Sequence, residues 1–222
     1  MKDFDPFGWL EKYVPARIIH LAIRIGIIAV LIVFLSQRVS SYNLYMVKPL
    51  WFMETLIFIA FLVSYLIRQD PVCRSRGTRE IIVPLIGGIL PFALLFSPPN
   101  LFIAVKPLAL QVIFYWMTAS TALTFWGLWT LRRSFSITVE ARELVTSGPY
   151  RFVRHPIYSG EILTALAVAI WRFSLLNFFI ITLIVVIQLL RAKWEEDKLA
   201  RVFPSYSIYA AETSWLFPHN KQ

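Results

Sequence analysis

Gly148-Pro149-Tyr150-Arg151-Phe152-Val153-Arg154-His155-Pro156-Ile157-Tyr158-Ser159-Gly160 divides the chain into two unequal apolar parts. Two arginines, a histidine and two tyrosines crowd this stretch, and a long apolar run follows it directly. Gly148 and Pro149 break what precedes, and Pro156 suits the first turn of a helix, where its missing N–H leaves nothing unpaired. The stretch therefore reads as a polar, turn-rich mouth opening onto a membrane helix.

The helix starting there is short. The apolar run Tyr158–Trp171 is separated from a second, Leu175–Leu190, by Arg172, Phe173 and Ser174 alone. Helices joined so tightly must be antiparallel, which predicts a hairpin. Its second helix is expected to continue through the charged stretch Arg191–Phe203, because no breaker intervenes before Pro204.

Four further apolar runs lie upstream, near Ala16–Leu35, Leu50–Ile67, Ile81–Phe96 and Leu108–Leu131. A span needs about 20 residues to cross a hydrocarbon core of about 30 Å. The first, second and fourth runs meet or approach that length. Pro84, Gly87, Gly88 and Pro91 interrupt the third, which predicts a kink. The fold expected is all-α, a polytopic transmembrane bundle of about six membrane segments.

Composition agrees. Hydrophobic residues make up 58% of the 222 and charged ones 16%, with mean hydropathy +0.64. Soluble domains are closer to about 45–50% apolar and about 25% charged. The length predicts one domain, with residues 1–131 as N-terminal spans and 132–222 as a C-terminal region. A mixed-charge aromatic segment precedes the first run and no small-residue cleavage site follows it, so no removable signal peptide is expected. Cys73, the only cysteine, excludes a disulfide framework and a cysteine-based zinc site.

The net charge of +9 has a topological reading that displaces nucleic-acid binding. Lys and Arg concentrate before the first run, in 68–79, in 132–155 and after residue 190, whereas the alternate loops hold only Arg38, Lys48, Lys106 and Arg172. This bias predicts both termini and the 148–160 mouth on the cytoplasmic side.

Arg151 and Arg154 can grip a carboxylate or phosphate through their planar forks. His155 could hydrogen-bond a ligand or move a proton, and Tyr150 and Tyr158 offer ring faces and hydroxyls. A plain positive-inside cluster would look similar. Glu195 and Glu196 follow the last run, about 100° apart around a helix, so at most one faces inward. Taken alone they suit a solvated helix end with Arg191–Glu195 and Lys193–Asp197 neighbours. The hairpin, however, returns them to the Arg–His mouth, and a cationic beside an anionic pole suits a zwitterionic ligand. His20 and Arg24, one turn apart in the first run, are a minor candidate, since Arg24 is close enough to the surface to snorkel. No dinucleotide, Walker, nucleophile-elbow or His-Glu-x-x-His motif occurs.

Over Val139–Pro218 the sequence resembles the isoprenylcysteine carboxyl methyltransferase / phospholipid methyltransferase family of integral membrane enzymes. Three pieces carry the resemblance: Gly148–Gly160 as Gly-Pro-Tyr-Arg-x-x-Arg-His-Pro-x-Tyr-x-Gly, the Glu195–Glu196 pair after a hairpin, and the run Phe203, Tyr206, Tyr209, Thr213. It implies S-adenosyl-L-methionine (SAM) as methyl donor, with S-adenosyl-L-homocysteine as product. A lipophilic or lipidated acceptor would come from the bilayer: an isoprenylcysteine-like carboxylate, a phospholipid amine or a thiol. By position, the resemblance assigns Tyr150, Arg151, Arg154, His155, Tyr158, Gly160, Glu195 and Glu196 to the cofactor pocket, with His155, Glu196 and Arg154 as the catalytic set. Trp194 could favour the sulfonium by cation–π attraction. Two positions depart from the pattern: Pro204 stands where the family often has Gly, and Ser214–Pro218 lacks the common basic residue. A membrane NADPH-dependent reductase of the sterol type and a non-enzymatic lipid-binding protein are the competing readings.

Overall fold

The computed structural model describes residues 9, 12–40, 42–44, 48–67, 71–75 and 77–218. Lys2, Arg68 and Arg76 from the charge pattern, and the His20 and Arg17 side chains, lie outside the described residues.

Among the described residues the architecture is all-helical, its only bridges being Cys73 with Ala141 and Val153 with Ser214. We number the helices α1 (Ala16–Ser40), α2 (Lys48–Ile67), α3 (Gly77–Ile89), α4 (Leu101–Ala104), α5 (Pro107–Leu131), α6 (Pro156–Trp171), α7 (Leu175–Val202) and α8 (Tyr206–Glu212). A 3₁₀ segment, Leu90–Phe96, extends α3, and shorter ones cover Arg132–Ser134 and Gly148–Arg151. All six expected apolar runs are helical, and α7 runs unbroken to Val202 as the missing breaker implied. The third run stays α-helical through Pro84, which is buried, and changes to 3₁₀ winding at Leu90, next to Pro91.

Among the described residues, four helices are long and apolar enough to cross a membrane: Lys48–Ile67, Gly77–Phe96, Pro107–Ser134 and Leu175–Val202. With α6 as a shorter apolar partner, they suit an integral membrane protein. Glycines set how closely the helices approach. A Cβ on Gly127 of α5 would meet the Ile157 side chain at 2.8 Å, and one on Gly160 of α6 would meet the Ser120 carbonyl at 2.7 Å. Small residues at such crossings let packing replace the hydrophobic drive that lipid does not supply. At the same end, Ala60, Tyr65, Leu128, Phe135, Ile157, Tyr158, Ala192 and Leu216 form one buried cluster.

The hairpin is fastened at its tight turn. Asn177, fully buried, donates from Nδ2 to the Leu94 carbonyl (3.0 Å) and the Arg172 carbonyl (2.8 Å). Ser97 donates to Asn177 Oδ1 (3.2 Å), Ser174 caps α7 by accepting from the Asn177 N–H (3.1 Å), and Arg172 Nη1 donates to the Ser97 carbonyl (2.5 Å).

The opposite end is clasped by Lys198. Its ammonium, 4% exposed as a residue, donates to Glu80 Oε2 (2.5 Å), the Val139 carbonyl (2.8 Å) and the Arg74 carbonyl (3.0 Å), joining α7 to α3 and two loops. Removing one member of a buried pair is destabilising by about 3–5 kcal/mol because the other charge is left unmatched. Lys198→Met is expected to lower the thermal midpoint of the purified protein in detergent accordingly. An unchanged midpoint would show the clasp to be idle.

Arg24 does not join a site. Its guanidinium reaches the Leu66 carbonyl near the end of α2, the snorkelling alternative.

Candidate active site

The site begins with a backbone accident of position. His155 occupies the N-cap of α6 with no side-chain cap hydrogen bond, and Pro156 follows at the first helical position. The imidazole is therefore free to turn toward α7. Upstream, Gly148 adopts φ +57° against Thr130, whose Oγ1 would lie 2.7 Å from any Cβ there. Only glycine makes both the left-handed turn and that approach without strain.

Antiparallel return of the hairpin brings α7's carboxylates to this point. His155 Nε2 donates to Glu196 Oε1 at 3.2 Å, and His155 Nδ1 lies 3.9 Å from Glu195 Oε2. Tyr158 donates its hydroxyl to Glu195 Oε1, and its ring stacks on the imidazole with centroids 5.5 Å apart. Arg154 Nε donates to Glu196 Oε1 at 2.6 Å, and Arg154 Nη1 donates to the Ala210 and Thr213 carbonyls at 2.8 and 2.7 Å. Arg154 thus fastens the C-terminal segment to Glu196 instead of standing open to grip a ligand.

That segment adds two groups. Tyr209 donates to the Tyr150 carbonyl at 2.7 Å. Burial pushes the Tyr209 phenol up to about 12, against the nearby Arg154 charge, so it stays a donor at neutral pH. Tyr206 is raised further, by burial first and then by the Glu196 charge; its hydroxyl lies toward Glu196 without a hydrogen bond of standard geometry. Tyr150 is likewise raised, by burial and then by Glu195, and is buried beneath the mouth.

Of the eight residues assigned to the pocket, Arg154, His155, Tyr158, Glu195 and Glu196 come together, with Tyr150 adjoining them. Two stand apart. Arg151 is exposed, its guanidinium over the Phe152 ring at 5.1 Å. Gly160 faces α5, where its missing side chain makes room for Thr124 and Ser120. Its observed role is helix packing.

Sequence reasoning passed over Arg191, read only as a surface neighbour of Glu195. The guanidinium is buried, 4.8 Å from the Tyr158 ring centroid, and donates to Gln188 Oε1 (2.9 Å) and the Ile137 carbonyl (3.2 Å). Gln188 in turn donates to Glu161 Oε2 at 2.5 Å. A signal was present: Gln188, Arg191 and Glu195 follow i, i+3, i+7 spacing, one polar stripe along an otherwise apolar helix.

A phospholipid methyltransferase family model matches residues 100–205, from α4 to just past α7. No curated protein matches the chain significantly. The matched stretch contains the mouth, the hairpin and both carboxylates described above. Residues 100–205, just under half of the chain, therefore match the phospholipid methyltransferase family, in keeping with the resemblance carried by Val139–Pro218.

Proposed function

We propose that the protein transfers a methyl group from SAM to a lipophilic acceptor delivered by the bilayer. The observation carrying this reading is the meeting of Arg154, His155 and Tyr158 with Glu195 and Glu196 across the hairpin, inside the matched stretch.

The donor set suits SAM. Glu195 Oε2 sits 3.9 Å from His155, beyond hydrogen-bond distance, which leaves it to accept from an ammonium. Tyr158 and Tyr150 supply ring faces, and the Tyr206 hydroxyl, lacking a partner of good geometry, is a spare donor. Arg154 is occupied by Glu196 and two carbonyls, so a carboxylate would be met only if Arg151 swung in from its place over Phe152. When bound, SAM supplies an electrophilic methyl group on a sulfonium, and alignment rather than covalent catalysis governs such a transfer.

The chain's own contribution is to hold a proton acceptor ready. With Nε2–H donated to Glu196, the lone pair of His155 is on Nδ1, and that nitrogen takes the proton of an amine or thiol nucleophile. Glu196, itself held by Arg154, fixes the tautomer and balances the imidazolium that results. Residues 1–131 would provide the acceptor's surroundings and 132–222 the cofactor's, on the cytoplasmic side that the Lys and Arg bias indicates.

The purified protein in lipid nanodiscs is expected to bind SAM saturably by calorimetry, and NADPH not at all. Labelled methyl from SAM, followed into a total membrane lipid extract, then separates carboxylate, amine and thiol acceptors by the chemistry of the product. Saturable NADPH binding without SAM binding would establish the reductase alternative. Binding of neither would leave the lipid-binding alternative.

A further inference from the structure

Beyond α8 the chain forms a short ribbon beside the mouth. Ser214 N–H donates to the Phe152 carbonyl (3.2 Å), Arg154 N–H to the Ser214 carbonyl (2.9 Å) and His155 N–H to the Trp215 carbonyl (3.2 Å). The pairing is parallel, so the ribbon runs in the direction in which 152–155 enters α6. One step farther, the Ser159 hydroxyl donates to the Leu216 carbonyl. Residue 216 is therefore level with the first turn of α6, not above it.

The height of that turn follows from the helix length. With 16 residues, α6 is about 24 Å long, short of a hydrocarbon core of about 30 Å. Its two ends cannot both stand clear of the membrane boundary unless the bilayer thins around it. Side chains along the ribbon alternate with period two. Ser214 and Leu216 are 6% and 8% exposed, whereas Trp215 and Phe217 are 36% and 49% exposed. Phe152, on the paired segment, is 53% exposed, and Arg151 lies over its ring. Aromatic rings with a cation beside them suit the headgroup level of a bilayer. Non-helical backbone tolerates that depth only when its polar groups are matched, and the carbonyls of 214, 215 and 216 all are.

We infer that residues 213–217 form an interfacial anchor, with Trp215 and Phe217 seated in the leaflet on the site's side. The partner is the lipid surface itself. The ribbon then forms a sill beside His155 and Arg154, over which a bilayer-borne molecule reaches them. The inference rests on the fold and on membrane insertion, and stands independently of SAM.

Single cysteines placed by Trp215→Cys, Phe217→Cys and, as control, Arg201→Cys, each in a Cys73→Ser background, can be labelled with bimane. Arg201 lies about 39 Å along α7 from its start, beyond a core of about 30 Å. The labelled proteins are placed in phosphatidylcholine–phosphatidylglycerol vesicles containing nitroxide-labelled lipid. The expected result is several-fold stronger quenching by the nitroxide at 215 and 217 than at 201, with protection from aqueous iodide. Iodide quenching at 217 equal to that at 201 overturns the inference. Protection from both quenchers also overturns it, because protein rather than lipid would then cover the ribbon. Should the 215 variant fail to fold, the 217 variant decides alone, its side chain being the more exposed.

Discussion

His155→Ala is expected to slow methyl transfer by about 10²–10⁴-fold, the usual contribution of a positioned general base, while the protein remains folded in the membrane. The imidazole is buried but is not a structural keystone. The His155 N–H bond to the Trp215 carbonyl and the Arg154–Glu196 ion pair both survive its removal. Size-exclusion behaviour and thermal midpoint should therefore stay near wild type as the labelled-methyl rate collapses. Glu196→Gln should also slow transfer, since a neutral amide balances neither the imidazolium nor Arg154. Full activity in both variants would remove this cluster from the chemistry.

Gly160→Ala is expected to be the most damaging single methyl group added to the chain. Its Cβ would lie 2.2 Å from Thr124 Oγ1, 2.7 Å from the Ser120 carbonyl and 2.9 Å from the Thr124 nitrogen. Overpacking typically destabilises by about 1–3 kcal/mol, and two backbone contacts that cannot rotate away put this case at or above that range. A second change, Thr124→Ala, relieves only the hydroxyl clash and should restore stability in part. Gly88→Ala is the control. Nothing lies within 4 Å of a Cβ there, and replacing a mid-helix glycine by alanine commonly gains about 0.5–1 kcal/mol. Thermal unfolding in one detergent would rank the three; a Gly160→Ala midpoint equal to that of Gly88→Ala would contradict the packing argument.

Much of this architecture was legible because membrane helices announce themselves by length and apolar run, and because Gly148–Gly160 combines breakers, bases and a helix start in one place. The hairpin was legible from three intervening residues. What stayed hidden depended on direction around a helix. Arg191 lies in a charged stretch that composition assigns to solvent, yet Gly87 on α3 leaves room for it: a Cβ there would sit 3.4 Å from its guanidinium. Arg154 and Gly160 belong to the right motif with different work to do, one tying three segments together and the other closing a helix crossing. Pro84 shows the limit of breaker arguments in lipid, where surrounding helices hold an α-helix through a proline. Lys198 and Glu80 are far apart in sequence, and nothing local to either foretold their pairing.

The fastening at Asn177 has a mechanical consequence. With one end of α7 locked to Leu94, Ser97 and Arg172, any separation of the two helices near His155 becomes a rotation about that pivot. Glu195 lies about 27 Å along the helix from Asn177, so a tilt of about 4° swings it by about 2 Å. That is enough to break the Tyr158–Glu195 hydrogen bond and widen the gap to His155 while scarcely disturbing the pivot. The Lys198 clasp, three residues beyond Glu195, opposes that swing, so the hairpin is held both at its joint and at its tips.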